Sequence, residues 1–380
     1  MINTFQSFFM GGFECADHIN RSGERVNLLR ETEHDTRALE DYQALAGLGI
    51  FVAREGICWS AVEKLPYVFD FTDVGTRIKA AEETGMQLIW DLCHFGYPDG
   101  LYPTHPHFCA RFEALCTAFS VFHKAITRQE LFVVPINEIS FLSWHSGDVR
   151  GTVPFAAGCG FDIKYHLCKA AILGIQKLKE ADPDCRIVLV EPLISIHGNE
   201  NADWIHINSI NGHQFQAMDM IAGRMCSELG GRESYLDILG FNYYWNSQWE
   251  DGSGTLPWPE TLPRRTKVST MLTDAYLRYQ KPLFLSETGH FGQGRAQWIR
   301  EIALECSIAI AKGIPLLGAC IYPVTDRPDW DDLSSYSDCG IFDLDHSKNR
   351  IPHTESINAI KAAQDRIAIQ QKKTFAVHTI

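Results

Sequence analysis

Hydrophobic residues in this chain fall into short runs separated by longer stretches of mixed character. Eight runs stand out: 7–13 (SFFMGGF), 50–54 (IFVAR), 87–92 (QLIWDL), 131–136 (LFVVPI), 186–191 (RIVLVE), 236–241 (LDILGF), 282–287 (PLFLSE) and 317–322 (LGACIY). Each is apolar on both faces, as a strand is when helices cover one side and a packed barrel interior the other. The stretches between them carry helical spacing. DTRALEDYQALAGLG opens on Asp35 as its predicted N-cap, and FDFTDVGTRIKAAEETG closes on Gly85 as its predicted C-cap. Residues 107–126, 161–182 and 295–313 repeat the plan. Eight strands alternating with helices predict an α/β protein with a single (β/α)8 TIM barrel, one domain spanning 1–380. A doubly wound open sheet would carry G-x-G-x-x-G after its first strand, and GGFE does not fit. Two segments rich in Gly, Pro or Ser, 251–265 and from Glu138 to 160, read as long loops on the face where such barrels bind ligands.

Composition narrows the partners. Of 380 residues, 45% are hydrophobic and 21% charged, ordinary for a soluble globular protein. The net charge of −13, with no basic run, argues against nucleic acid. No stretch is apolar for long enough to predict a membrane span. The N-terminus lacks the basic and apolar regions of a signal peptide and is read as the start of the fold, which predicts a cytoplasmic protein. The 12 cysteines form no C-x-x-C pair and are expected to be free thiols, most of them buried. His94, His105 and His107 share a loop, but no H-E-x-x-H occurs, so no metal and no cofactor are expected. A homo-oligomer is left open.

In a barrel the C-terminal end of every strand faces one pocket. The polar residues there are Glu14 with His18, Arg54, Asp91 with His94, Asn137 with Glu138, Glu191, Asn242 with Tyr243 and Tyr244, Glu287, and Tyr322 with Asp326. Polar groups left unpaired in such a place are costly, whereas clustered ones can satisfy each other and a polyhydroxylated ligand. Glu138 ends the fourth run and Glu287 the seventh. Two carboxylates across a pocket are the minimum for glycoside hydrolysis, one protonated and one ionised. Asn137 is placed to hold a sugar 2-hydroxyl, and Arg54 to keep Glu287 ionised. Asp91 and Glu191 are weaker candidates for touching substrate. Glu55, beside Arg54, should point away towards the helices.

The order of these motifs resembles glycoside hydrolase family 1, the β-glucosidase family, over about residues 9–365. IFVAREGICWSAVE resembles its second strand, with a buried Arg and an aromatic-rich turn, and LIWDLCHFGYPDGL its third, whose His (here His94) contacts the sugar. FNYYW resembles its Asn–Tyr–Tyr, which makes Tyr244 the partner of the nucleophile. YPVTDRPDW resembles its eighth-strand loop, with Tyr322, Asp329 and Trp330 at the glycone-holding positions, and CGIFDLD the strand that follows. The resemblance implies a retaining β-glycosidase acting on a carbohydrate, with Glu138 as acid/base and Glu287 as nucleophile. Asn137, Asn242, Arg54 and Tyr244 would surround the reacting bond, and His94, Tyr322, Asp329 and Trp330 the sugar. The chain departs from the pattern at Glu287–Thr288–Gly289, where the family has Glu–Asn–Gly. It has Tyr322 for a Trp and Asp329 for a Glu, and in its first strand Glu14 or His18 must take over the glycone contact. Trp144, Trp245, Trp249 and Trp258 are aglycone candidates. The same site would suit a β-galactosidase, a β-mannosidase, an endo-glucanase, or a sugar-binding barrel without catalysis.

Overall fold

A computed structural model describes residues 4–378; the outermost residues of the expected 1–380 domain lie outside it. All eight apolar runs are strands: β1 Phe9–Gly12, β2 Val52–Gly56, β3 Gln87–Asp91, β4 Phe132–Val134, β5 Arg186–Pro192, β6 Ile238–Asn242, β7 Leu283–Thr288 and β8 Leu316–Ile321. They pair in parallel, each with its sequence neighbours, and β8 closes onto β1. The main helices between them are α1 His34–Gly47, α2 Thr72–Thr84, α3 Phe108–Ile126, α4 Ile139–Gly147, α5 Gly160–Ala181, α6 Val268–Tyr279, α7 Arg295–Ala311 and α8 Thr354–His378. The connection from β5 to β6 carries only the shorter helices Trp204–Gly212 and Gln216–Ile221.

The two-residue period of a strand sorts side chains into two cores. Inside the barrel pack Met10, Val52, Ile89, Phe132, Val188, Ile238 and Phe284, with Phe5 closing the lower end against Phe132 and Phe284 at centroid distances of 5.3 and 5.5 Å. A larger apolar shell lies between strands and helices. Glu55 faces that shell, as expected, where His34 Nε2 (2.7 Å), the Tyr42 hydroxyl (2.7 Å) and Arg77 Nη1 (2.6 Å) satisfy it. Gly12 is needed where β1 meets the eighth-strand loop: a Cβ there would overlap the Tyr322 ring.

Several local expectations change. The N-cap of α1 is Glu33, at φ 58°, and Asp35 lies in the first turn, where its charge favours the helix N-terminus. Gly85 caps α2 in the left-handed conformation (φ 69°), as its sequence position predicts. The segment after Glu138 is not one long loop: its first half is α4, apolar on most sides and wedged against α5. Residues 251–265 are also partly ordered, because Gly254–Thr255 pairs antiparallel with Gln248–Glu250, which pairs with Ser195–His197. That small sheet joins the loops after β5 and β6 above the barrel. All twelve cysteines are free and nine are buried. No helix among the described residues is long and apolar enough to cross a membrane.

Candidate active site

A cavity of about 1180 Å³ opens at the C-terminal ends of the strands, and both Glu138 and Glu287 line it. Two backbone devices deliver them. After β4 the chain bends through Pro135 and Ile136 and then places Glu138 in the left-handed region, at φ 47° and ψ 59°. That conformation costs a non-glycine residue on the order of 1 kcal/mol or more. It is held by the Glu138 N–H on the Val190 carbonyl (3.0 Å) and by the Leu142 N–H on the Glu138 carbonyl (2.8 Å). In β7 the pairing with β6 slips: Leu285 lies opposite Phe241, and Glu287 opposite the very next residue, Asn242. This bulge lets both Ser286 and Glu287 reach inward, and bulges of this kind re-aim side chains beside active sites.

Arg54 is the hub beneath the floor. Its Nη1 lies 2.6 Å from Glu287 Oε1 and 3.1 Å from the Ser286 carbonyl. Its Nε and Nη2 grip the two oxygens of Asp91 at 3.1 and 2.7 Å, and Nη2 also donates to Asn137 Oδ1 at 2.7 Å. A planar guanidinium, with five N–H donors in a fixed fork, can serve these four partners at once, one more than the three donors of an ammonium could. The second oxygen of Glu287 accepts the Tyr244 hydroxyl at 2.7 Å. Asp91 also takes His94 Nδ1 at 2.8 Å. Burial works against a charged His94, but the Asp91 hydrogen bond and charge, with the charges of Glu287 and Glu14, together outweigh it and raise the imidazole pKa.

The two carboxyl groups therefore sit in opposite surroundings. Glu287 has a cation and a hydroxyl donor at its oxygens. Glu138 has its pKa raised well above the usual carboxylate value by burial first and the charge of Glu287 second, against a hydrogen bond from Asn242. Environments that separate a pair of carboxyl groups in this way mark an acid and a base.

The inner end of the cavity is formed by Glu14, His94, Tyr322, Arg327 and Trp330. Glu14 Oε1 accepts the Tyr322 hydroxyl (3.3 Å), and its Oε2 lies 3.2 Å from Arg327 Nε. Trp330 lines the wall with its indole N–H unpartnered. Phe95 and Phe141 brace its ring at centroid distances of 5.4 and 6.1 Å.

Of the residues singled out from sequence, Glu14, His94, Glu138, Asn242, Tyr244, Glu287, Tyr322 and Trp330 all line this cavity. Four others do not. Arg54 and Asn137 are fully buried beneath it, and the Asn137 amide spans Arg54 and His94, whose Nε2 is 3.3 Å away. Asn137 thus braces the floor and is not among the residues that line the cavity. Asp329 is exposed: its carboxylate accepts the Asp331 N–H (2.8 Å) and its N–H donates to Ser335 (2.7 Å), so it shapes the loop outside the cavity. His18 packs behind Trp330 at 4.8 Å, borders a separate small cavity, and has its pKa lowered to about 3 by burial. Asp326 pins the following strand through the N–H groups of Cys339 and Gly340, both at 2.9 Å. Trp144, Trp245 and Trp249 line the outer cavity, whereas Trp258 is an anchor whose Nε1 donates to Glu301 at 2.8 Å. The residue that sequence reasoning overlooked is Arg327. Its signal was the cation beside Asp326 in the eighth-strand loop, but one Arg there reads as solvated surface until Glu14 is known to face it.

Cys15, Asp91 and His94 offer ligand atoms within 4.8 Å of one another. They do not fit a metal ion. Asp91 is already engaged by Arg54 and His94, the Arg54 cation lies beside it, and burial holds the Cys15 thiol well above its usual pKa.

No family model matches the chain, and no curated protein sequence does. Solved structures do. The family 1 β-glucosidase from Thermotoga maritima superposes over 95% of this chain and 98% of its own with a TM-score of 0.76, at 15% identity. The fold is that of the family 1 β-glucosidases. The same β-glucosidase in complex with glucoimidazole gives a TM-score of 0.75 at 15% identity over 95% and 98% of the two chains. The AHE enzyme from Alicyclobacillus herbarius gives 0.76 at 16% identity over 96% and 98%. A family 1 β-glucosidase fold at this identity establishes the barrel and its full-length correspondence; what the site does rests on its own residues.

Proposed function

We propose that this protein is a retaining β-glycosidase, β-glucosidase-like and exo-acting, that takes a carbohydrate glycoside and needs no cofactor. The observation that carries the reading is the pairing of Glu138 and Glu287 in one cavity with opposed environments. Glu287, held by Arg54 and Tyr244, attacks the anomeric carbon as the carboxylate, while Glu138 gives its proton to the departing glycosidic oxygen. In the second half Glu138 takes a proton from water, which displaces Glu287 and releases the sugar with its original anomeric configuration. Trp330 stacks on the apolar face of the sugar, and Glu14 and His94 meet its hydroxyls. The enclosed inner end, where Glu14, His94 and Tyr322 are each at most 5% exposed, suits a single terminal sugar and supports exo action.

The test is hydrolysis of aryl β-glycosides (gluco, galacto, manno, fuco, xylo) by the wild type and by Glu287→Gln. Cleavage by the wild type that the variant loses supports the reading and identifies the glycone. A folded wild type that binds sugar and cleaves nothing in the panel would make the barrel a binding protein.

A pH dependence follows from the raised pKa of Glu138. Its protonated form is the active acid, so while Glu287 stays ionised kcat/KM is sustained below that pKa and lost as pH rises through it. The alkaline limb is therefore expected well to the alkaline side of the ordinary carboxylate range. In Glu138→Ala that limb should disappear, and substrates with good leaving groups, which need no acid, should suffer least. A limb that persists in Glu138→Ala would assign the acid elsewhere.

A further inference from the structure

Lys164 lines the same cavity as Glu138 and Glu287, and the glycosidase mechanism gives it no task. It is the fifth residue of α5, in its second turn, and is only 8% exposed. Its ammonium has one hydrogen bond, to the neutral Gln216 Oε1 at 2.9 Å, and no carboxylate of the described residues forms an ion pair with it. Two carboxylates lie near enough to act on its charge, but each is committed elsewhere. Glu191 accepts the Ser140 N–H at 3.1 and 3.3 Å, and Asp148 accepts the Gly160 N–H at 3.0 Å. Burial lowers the Lys164 pKa, with Glu191 opposing, as expected of an ammonium short of a contact counter-ion. A buried cation left in that condition is costly unless a partner arrives.

A second group is also unsatisfied. Ser140 lines the cavity, and its buried hydroxyl has no hydrogen-bond partner. The wall of the same cavity also carries aromatic rings, Phe141, Trp144 and Phe161, with Phe141 and Trp144 following Ser140 along the chain and Phe161 one turn before Lys164 on the same helix. These residues belong to α4 and α5, whereas the sugar-facing groups come from β1, β3 and the eighth-strand loop.

We propose that Lys164 and Ser140 form an anion-binding aglycone subsite, which takes the carboxylate of an aromatic acid whose ring lies against Phe141, Trp144 and Phe161. This rests on the glycosidase reading for the statement that the group bound there is an aglycone. The contact is a charge-assisted hydrogen bond in a dry site, the strong kind. The preferred substrates would then be β-glycosides of hydroxylated aromatic acids over their neutral counterparts.

The test uses ligands without a sugar, so that it is independent of catalysis and of the glycone. Binding of 4-hydroxybenzoate and 4-hydroxybenzamide is measured by calorimetry on the wild type, Lys164→Met and Lys164→Arg. The acid is expected to bind the wild type about tenfold tighter than the amide or better. Lys164→Met, which keeps the apolar stem, should erase the preference by weakening the acid far more than the amide, while Lys164→Arg should retain it. Equal binding of the two ligands, binding of neither, or a preference that survives in Lys164→Met would each overturn the proposal. Measurable amide binding in Lys164→Met shows the cavity is intact. The glycosidase reading itself is judged separately, by whether Glu287→Gln abolishes cleavage of neutral aryl glycosides.

Discussion

Glu287→Gly is expected to lose turnover of aryl β-glycosides by on the order of 10⁴-fold or more, the scale on which removing a covalent nucleophile acts. Sodium azide is expected to restore it. Glu287 stands at the bulge of β7 with one oxygen on Arg54 and the other on Tyr244. Glycine at that position removes the attacking carboxylate and opens a space beside the anomeric carbon. The Arg54 cation remains to draw a small anion into it. Azide then forms the bond that Glu287 would have formed, the aryl alcohol leaves, and the product is a glycosyl azide of inverted configuration. Proton NMR of the product distinguishes this from hydrolysis. Turnover in Glu287→Gly without azide, or a folded variant that azide cannot rescue at any concentration, would remove Glu287 from the nucleophile's role.

Arg54→Met is expected to destabilise the fold by about 3–5 kcal/mol, because it strands a buried charge and leaves its partners in place. Arg54 is 1% exposed and is the cation that meets both Asp91 and Glu287. Met fills much of the same volume, so the loss measures electrostatics more than packing. Denaturant titration reads the cost. Adding Asp91→Asn should return part of it, since one of the stranded charges then disappears, and a coupling of about 0.5–3 kcal/mol is the usual size for residues in one network. Additive losses in the double variant would show that Arg54 and Asp91 contribute independently and that the hub is not the unit described here. Activity should fall as well, because Glu287 loses the contact that fixes its orientation.

These two expectations depend differently on the sequence. The carboxylates themselves were legible: LFVVPINE and PLFLSE each end a buried apolar run on an ionisable residue, and a shared pocket is one way to make such endings tolerable. The eight strands were legible for the same reason, since a strand buried on both faces must be continuously apolar. Glu55 could be assigned to the outer face by period alone, because β2 has no bulge between Arg54 and Glu55.

Other features needed the folded chain. Period-two reasoning cannot turn both Ser286 and Glu287 inward; the slip between β6 and β7 does that. Asn137 and Glu138 are adjacent, yet one is buried under Arg54 and the other opens into the cavity, because a left-handed residue reverses the chain between strand and helix. Asp329 and Glu14 are both acidic residues near strand ends. Only the folded chain puts Arg327 against Glu14 and turns Asp329 to solvent.

The sequence by itself therefore determined the barrel and its strand order and singled out two carboxylates, Glu138 and Glu287, that share one cavity, since burial of apolar runs and isolation of charge are local demands written into neighbouring residues. The tertiary structure alone decided which polar groups meet: Arg54 with Asp91 and Glu287, Glu14 with Arg327, and Lys164 with Gln216 in place of a contact ion pair among the described residues. Those meetings join strands and helices tens to hundreds of residues apart, and their energies depend on distance and burial, which no spacing along the chain encodes.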